Sequence, residues 1–359
     1  MSEPQRPEAS SPEESGPPET RITLKHIARE VGVSAAAVSL ALKNHPSISK
    51  ARREEIHAVA ERMGYHPNAM ATALARHRHQ SRAHPVQAAL ALINTYPDPA
   101  RLHAQPSYAD CWRGAILAAE KFGYRLEEFP VNGKQPLKRL ERIFLTRNIR
   151  GIILAPLPPG ESHVDWESFA WSKFSVVRCG FREQSPPFHY VTSAQATNTM
   201  LAFDKARERG YQRIGFAGYW DKARMFGAGF LWSQHEPSLP SRVPPFFFSQ
   251  ETPELKQQGR FEQWLKTAKP DAIITDSLAV PAMLEKAGCR VPEDIGVAAT
   301  NVRDMPVDAG IDQNPREIGR MTVLALISLI HDNDLGQPES IREILVRGKW
   351  VDGKSLPFR

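Results

Sequence analysis

Cysteine is scarce here: three in 359 residues. Cys111, Cys179 and Cys289 are odd in number, far apart and without a CxxC pair, which argues against a disulfide framework and a zinc site; they are read as core or surface thiols. Long apolar runs are also missing. The richest, such as 323–330, fall far short of the roughly 20 residues that span a bilayer, so no membrane partner is expected. The opening stretch, MSEPQRPEASSPEESGPPET, has neither a basic n-region nor an apolar h-region, so secretion is not indicated and a cytoplasmic location is expected. Enzyme signatures are absent too: no GxGxxG after a strand, no Walker lysine loop, no HExxH and no GxSxG. The twelve histidines make no metal pattern, and His77 and His79 merely flank Arg78. No catalytic residue, cofactor or metal ligand is expected.

What is present is an ordinary globular composition, 41% hydrophobic and 24% charged, in a chain long enough for two or three domains. The net charge of +6 is unevenly spread: residues 1–20 hold five Glu against one Arg, whereas residues 21–84 hold eleven Lys/Arg against four Glu. The Pro-, Ser- and Glu-rich segment 1–20 has almost nothing to bury and is expected to be a disordered tail. The basic stretch behind it could neutralise phosphates and release counterions, although a solvated charged face would share its composition.

Within that stretch, residues 24–42 read LKHIAREVGVSAAAVSLAL. Leu24, Ile27, Ala28 and Val31 repeat at helical spacing, Gly32 interrupts them, and Ser34 restarts the pattern as an N-cap with Val38, Ala41 and Leu42 on one face. Helix, tight turn and helix make a helix-turn-helix, whose second helix is sized for the DNA major groove. Ser49 then caps a third helix carrying Ile56, Val59, Ala60 and Met63, which Gly64 ends. Asn68 opens a further helical segment, too short to be stable alone.

From residue 85 onward short apolar strands alternate with helices. Strands are expected over 86–93, 125–129, 151–156, 174–180, 213–218, 244–248, 271–276 and 295–301, with helices over 112–122, 137–147, 194–209, 253–266 and 278–287. Such alternation implies parallel sheets covered on both faces, and its length implies two lobes with a ligand cleft between them.

Residues 23–74, TLKHIAREVGVSAAAVSLALKNHPSISKARREEIHAVAERMGYHPNAMATAL, resemble the headpiece of the lactose-repressor (LacI) family of bacterial transcription regulators. RGIILAPLPPG, PDAIITDSLAVPAMLEKAGCRVPEDIGVAATN and IDQNPREIGRMTV extend the likeness through the rest of the chain. The resemblance implies an all-α helix-turn-helix headpiece (21–67), a hinge helix and linker (68–84), and an α/β core (85–359) of two doubly wound, periplasmic-binding-protein-like lobes. It further implies a homodimer or tetramer, acting in the nucleoid, that binds double-stranded operator DNA and a small effector, carbohydrate-like or another metabolite.

Carried over position by position, Thr23 and Leu24 open the first helix, and Ser34, Ala35, Ala36, Ser39 and Leu40 face the operator. Asn44, Ser47, Ser49 and Arg52 match positions near phosphates or groove edges, and Tyr65 and Asn68 match the start of the hinge. Leu74 matches the leucine that family members wedge between base pairs; packing against a partner's hinge helix is its competing role. Where relatives commonly carry polar side chains or Arg, this chain has Ala36, Ala37 and Leu40. These offer apolar contact alone, most usefully to a thymine methyl, so specificity should lean on thymine contacts and on deformability of the operator centre. Plain helix propensity is the other reading of the alanines.

For the effector, the resemblance points to Asp276, Asn301 and Gln313, with Phe226 standing where relatives have an Arg, and Asn94 and Thr95 as weaker candidates. Asp276 could instead cap the following helix. Two usual polar anchors are apolar or neutral here, which disfavours a sugar with many hydroxyls. A solute-binding protein would share the core but not the headpiece. A DNA-binding protein whose core senses nothing stays open as an alternative.

Overall fold

The computed structural model describes residues 22–359 except 43–44, 46, 64, 66–87, 132–136, 157–163, 181–184, 221–223, 237–241 and 250–251. The expected tail, Asn44, Asn68, Leu74 and the hinge segment 68–84 lie outside the described residues; the rest of the expected DNA-facing set lies within them. The chain divides into two compact units, residues 1–76 and 77–359.

The first unit holds three helices, α1 (Leu24–Val31), α2 (Ala35–Leu42) and α3 (Lys50–Arg62). Gly32 takes φ +71°, a left-handed value that suits a residue without a Cβ, and so ends α1. Ser34 Oγ accepts from Ala37 N at 3.1 Å and Ser49 Oγ from Arg52 N at 3.4 Å, so both expected caps are made. Ile27, Ala28 and Val31 of α1 pack against Val38 and Ala41 of α2 and Ile56 and Ala60 of α3. Each large aliphatic side chain buried this way contributes about 1.5–3 kcal/mol, which offsets the marginal stability of helices this short.

The second unit contains two six-stranded sheets. The first lobe has β1 (Ala88–Asn94), α4 (Ala100–His103), α5 (Pro106–Lys121), β2 (Tyr124–Pro130), α6 (Leu137–Thr146), β3 (Gly151–Leu154), β4 (Ser175–Cys179) and β5 (His189–Ser193). The chain then builds the second lobe: α7 (Gln195–Glu208), β6 (Ile214–Tyr219), α8 (Arg224–Ser233), β7 (Phe246–Phe248), α9 (Gln258–Ala268), β8 (Ala272–Thr275), α10 (Val280–Lys286), β9 (Gly296–Ala299) and β10 (Gly310–Asp312). It returns to the first lobe for α11 (Pro315–Asp332) and β11 (Glu343–Val346), and ends in the second with β12 (Lys349–Val351). Strand orders are β2-β1-β3-β4-β5-β11 and β7-β6-β8-β9-β10-β12, parallel throughout except where β12 runs antiparallel to β10. The two lobes thus repeat one topology, with the order reversing beside β1 in one and β6 in the other.

Alternation along the strands explains the layering. Leu90 and Leu92 of β1 join the core beneath α5 and α11, whereas Ala91 and Ile93 join the opposite core with Phe144 and Phe174. Helices α5 and α11 cross closely at two glycines: a Cβ on Gly114 would collide with the Arg316 carbonyl, and one on Gly319 with the Cys111 carbonyl. Among the described residues no helix is long and apolar enough to cross a membrane.

All eight expected strands are present within a few residues. Four others, 189–193, 310–312, 343–346 and 349–351, and the helices 224–233 and 315–332 escaped the sequence reading. The helix expected from residue 112 begins at Pro106, a favoured first helical residue because its missing N–H has no partner to lose.

Candidate DNA interface and effector site

In the first unit, Thr23, Ser34, Ala36, Leu40, Ser47 and Ser49 are exposed. Leu40 keeps 37% of its surface, unusual for an apolar side chain on a helix whose other face is buried. Ala35 and Leu24 are half-buried and pack against the three-helix core, as does Tyr65, so their first role is structural. Ser39 is half-buried. Ser47 Oγ lies 2.7 Å from His45 Nδ1 in the turn before α3. Arg52 is tied into the headpiece. Its Nη2 donates to the Val31 carbonyl at 2.8 Å and its Nη1 to Glu55 Oε2 at 2.5 Å, so the guanidinium closes the C-terminus of α1.

In the second lobe, Asp276, Asn301 and Gln313 sit just beyond the C-terminal ends of neighbouring strands β8, β9 and β10. Asp276 Oδ1 accepts from Tyr219 N at 3.2 Å, while its Oδ2 is shielded from solvent and has no hydrogen-bond partner. Burial pushes this carboxyl well above its ordinary value, and the nearby Glu254 charge pushes it further, so the site favours the neutral acid over the carboxylate. Glu254 is raised by burial as well, despite the hydrogen bond from Ser277 Oγ at 2.8 Å; the Tyr219 hydroxyl donates to the same carboxylate oxygen. Tyr219, Glu254 and Ser277 were not foreseen, since they come from three elements that only the fold brings together. The alternative role of Asp276 as a helix cap is not the one observed: Ser277 Oγ accepts from Ala279 N at 3.1 Å instead.

Two other candidates are corrected. Phe226 is 4% exposed and packs in the second-lobe core with Phe216 and Phe230, where its ring fills volume rather than meeting a ligand. Asn94 is fully buried, donating to Glu128 Oε1 at 2.6 Å and accepting from Tyr96 N at 3.0 Å, so its polar atoms serve the first lobe; Thr95 is buried beside it.

The structure also assembles a clamp between lobes that the sequence reading missed. Asn301 Nδ2 donates to Asp304 Oδ2 at 2.7 Å, and Asp304 Oδ1 in turn accepts from Ser107 N, in the first turn of α5, at 3.0 Å. The Ser107 hydroxyl donates to the other Asp304 oxygen. Arg303 Nη1 reaches Asp110 of α5 at 2.6 Å. Burial alone would raise the Asp110 carboxyl, but Arg316, Arg303 and Arg113 outweigh it and hold it below the usual range. The signal was the charged Arg303-Asp304 pair two residues past Asn301, but its partners precede the helix expected from residue 112. Gln313 Nε2 donates to the Thr300 carbonyl at 2.9 Å, steadying the end of β9.

Residues 23–68 match the family described as bacterial regulatory proteins, lacI family, and residues 203–356 match a periplasmic binding protein-like domain. Over 335 residues, 89% of this chain and 96% of the relative, the chain is 24% identical to catabolite control protein A of Staphylococcus xylosus. Over 350 residues, 92% and 96% of the two chains, it is 23% identical to the HTH-type transcriptional repressor CytR of Escherichia coli K12. A stretch of 54 residues, 15% of this chain and 16% of the relative, is 48% identical to the regulator GalR of the same organism. Among solved structures, the transcriptional regulator CelR–cellobiose complex is similar with a TM-score of 0.52 at 19% identity, covering 93% of this chain and 100% of that one. The lac repressor dimer bound to operator and an anti-inducer gives 0.51 at 18% identity, covering 94% and 100%. These structural likenesses establish the shared fold.

Proposed function

We propose that this chain, which matches the lacI family of bacterial regulatory proteins over residues 23–68 and a periplasmic binding protein-like domain over 203–356, represses transcription by binding a near-palindromic operator as a homodimer, under the control of a small molecule held between its lobes. Two headpieces on one dimer would read two half-sites, which is why the operator should be nearly two-fold symmetric. The exposed face of α2, with Ala36 and Leu40 beside Ser34, supports readout through apolar contact to thymine methyls. This reading places the protein with the chromosome in the cytoplasm.

The observation that carries the effector half is the buried Asp276 carboxyl with its unpartnered Oδ2 at the point where the second sheet reverses strand order. An unsatisfied buried polar atom costs about 1–3 kcal/mol, a cost that a ligand oxygen hydrogen-bonded to Asp276 would remove. A metabolite with a carbonyl, ether or hydroxyl oxygen, carbohydrate-like or otherwise, fits that requirement. Ligand binding that altered the Asn301 to Asp304 loop would change the clamp on α5 and so the lobe arrangement. DNA and effector affinities must then be linked by one coupling factor.

The test begins with the full chain and a pool of genomic DNA fragments. Recovery of a two-fold-symmetric site is the expected result, and the neighbouring genes nominate metabolites for a thermal-shift assay against the wild type and Asp276→Asn. Enrichment of asymmetric or random fragments would remove the dimeric-operator reading. A nominated metabolite that stabilises both proteins equally would remove Asp276 from the site.

A further inference from the structure

Two of the three cysteines, 68 residues apart in sequence, are neighbours in the fold. Cys111 on α5 and Cys179 at the end of β4 place their Sγ atoms 3.5 Å apart, and both side chains are buried. Beside them is a cavity about large enough for one water molecule, lined in part by Tyr108, Ile153 and Thr322. The Tyr108 hydroxyl is buried there without a hydrogen-bond partner. The remaining thiol, Cys289, lies in the second lobe and is only half-buried.

We propose that Cys111 and Cys179 form a peroxide-oxidisable dithiol whose disulfide shifts α5 and loosens the interlobe clamp. The chemistry takes two steps. The Cys179 thiolate attacks one peroxide oxygen, breaking the O–O bond to give a sulfenic acid and hydroxide. The Cys111 sulfur then attacks the sulfenic sulfur, forming the S–S bond and expelling the sulfenic oxygen, which leaves as water with the thiol proton. Overall two thiols and one hydrogen peroxide give one disulfide and two waters. Cys179 is the first nucleophile because the hydrogen bond with Cys111 favours its thiolate over the opposing effect of burial. Cys111, as the donor, is held high by the same contact and by burial.

The effect on the clamp follows from position. A disulfide needs its sulfurs roughly 2.05 Å apart, so the pair must close by about 1.5 Å. Asp110 precedes Cys111 directly and Ser107 lies one turn earlier; these are the α5 residues that meet Arg303 and Asp304. The same stretch of α5 is packed closely on α11 at Gly114 and Gly319, which have no side chain to yield, so a shift of α5 is passed on rather than absorbed.

The native full-length protein, treated with a small molar excess of hydrogen peroxide, should lose the mass of two hydrogens and give a peptide linking Cys111 to Cys179. Dithiothreitol should reverse both changes. Cys289→Ser should retain the linked peptide, while Cys111→Ala and Cys179→Ala, each checked for folding by circular dichroism, should lose it. In the oxidised protein the Ser107 amide, which donates to Asp304, should lose protection from hydrogen exchange. If oxidation reached Cys289 alone, the site would be overturned; if the disulfide formed with Ser107 protection unchanged, the link to the clamp would be.

Discussion

Arg303 grips Asp312 through hydrogen bonds of 3.0 and 2.7 Å and reaches Asp110 at 2.6 Å, so that a single guanidinium joins one lobe to the other. With 38% of that side chain exposed, water screens part of the attraction. Arg303→Ala is expected to lower stability by about 1 kcal/mol, read from the urea midpoint, and to expose the Ser107 amide to exchange. The hydrogen bond from Arg303 holds the Asp312 carboxyl low, and Asp110 is low on balance as well. The stability they contribute is present above their unfolded values and is lost as pH falls through the folded ones. The clamp should therefore hold at neutral pH and fail below about pH 4. A stability difference between Arg303→Ala and the wild type that persisted unchanged at pH 3 would contradict this.

Asp276 has the opposite sign. Its folded value is raised by burial and then by Glu254, so the stability tied to its proton is present below the unfolded value and is lost as pH rises through the folded one. Asp276→Asn cannot ionise. Its melting temperature should match the wild type near pH 4 and exceed it increasingly toward pH 8, apart from the smaller contribution of Glu254 in both proteins. A gap that stayed constant across this range would show that the proton is not the cause.

Leu40→Arg would place a bidentate donor on an exposed position of α2 that now offers only apolar surface. The preferred half-site should change by at least one base pair, with guanine gained at the altered position and a discrimination of about 1–3 kcal/mol. An unchanged half-site in a binding selection would show that Leu40 does not face the bases.

Arg52→Met would separate packing from charge. Because Arg52 binds the Val31 carbonyl, its loss should lower headpiece stability by about 1–2 kcal/mol, visible as a shift in thermal unfolding without DNA. A phosphate ligand would behave differently: stability would hold, and the salt dependence of DNA binding would weaken by about one ion.

The headpiece was legible almost residue by residue, because three short helices around Ile27, Val38 and Ile56 depend on local spacing, caps and one left-handed glycine. Central strands were legible for a similar reason: runs such as Ala88–Asn94 are apolar on both faces. The strands missed carry weaker marks. Glu343–Val346 is largely exposed and Lys349–Val351 is only three residues long, so each is a strand only because a sheet edge awaits it. The site divides along the same line. Asp276 could be picked from its place at a strand end, but Glu254 and Tyr219 become its neighbours only through tertiary packing. Phe226 matched an alignment position whose side chain had turned into the core. The clamp was hidden because Ser107 and Asp110 precede the apolar part of their helix.

The threefold passage of the chain between lobes has a consequence for how the protein is made. The first sheet begins with β1 but closes its far edge only with β11, where Glu343 to Val346 pair with Tyr190 to Ser193. Arg342 N donates to His189 Nδ1 across 153 residues of sequence, at 2.9 Å. A nascent chain therefore carries an unpaired β5 edge while the second lobe through β10 is synthesised, and such edges are templates for pairing with other chains. A gene cut after residue 193 would encode a sheet with that edge open for good.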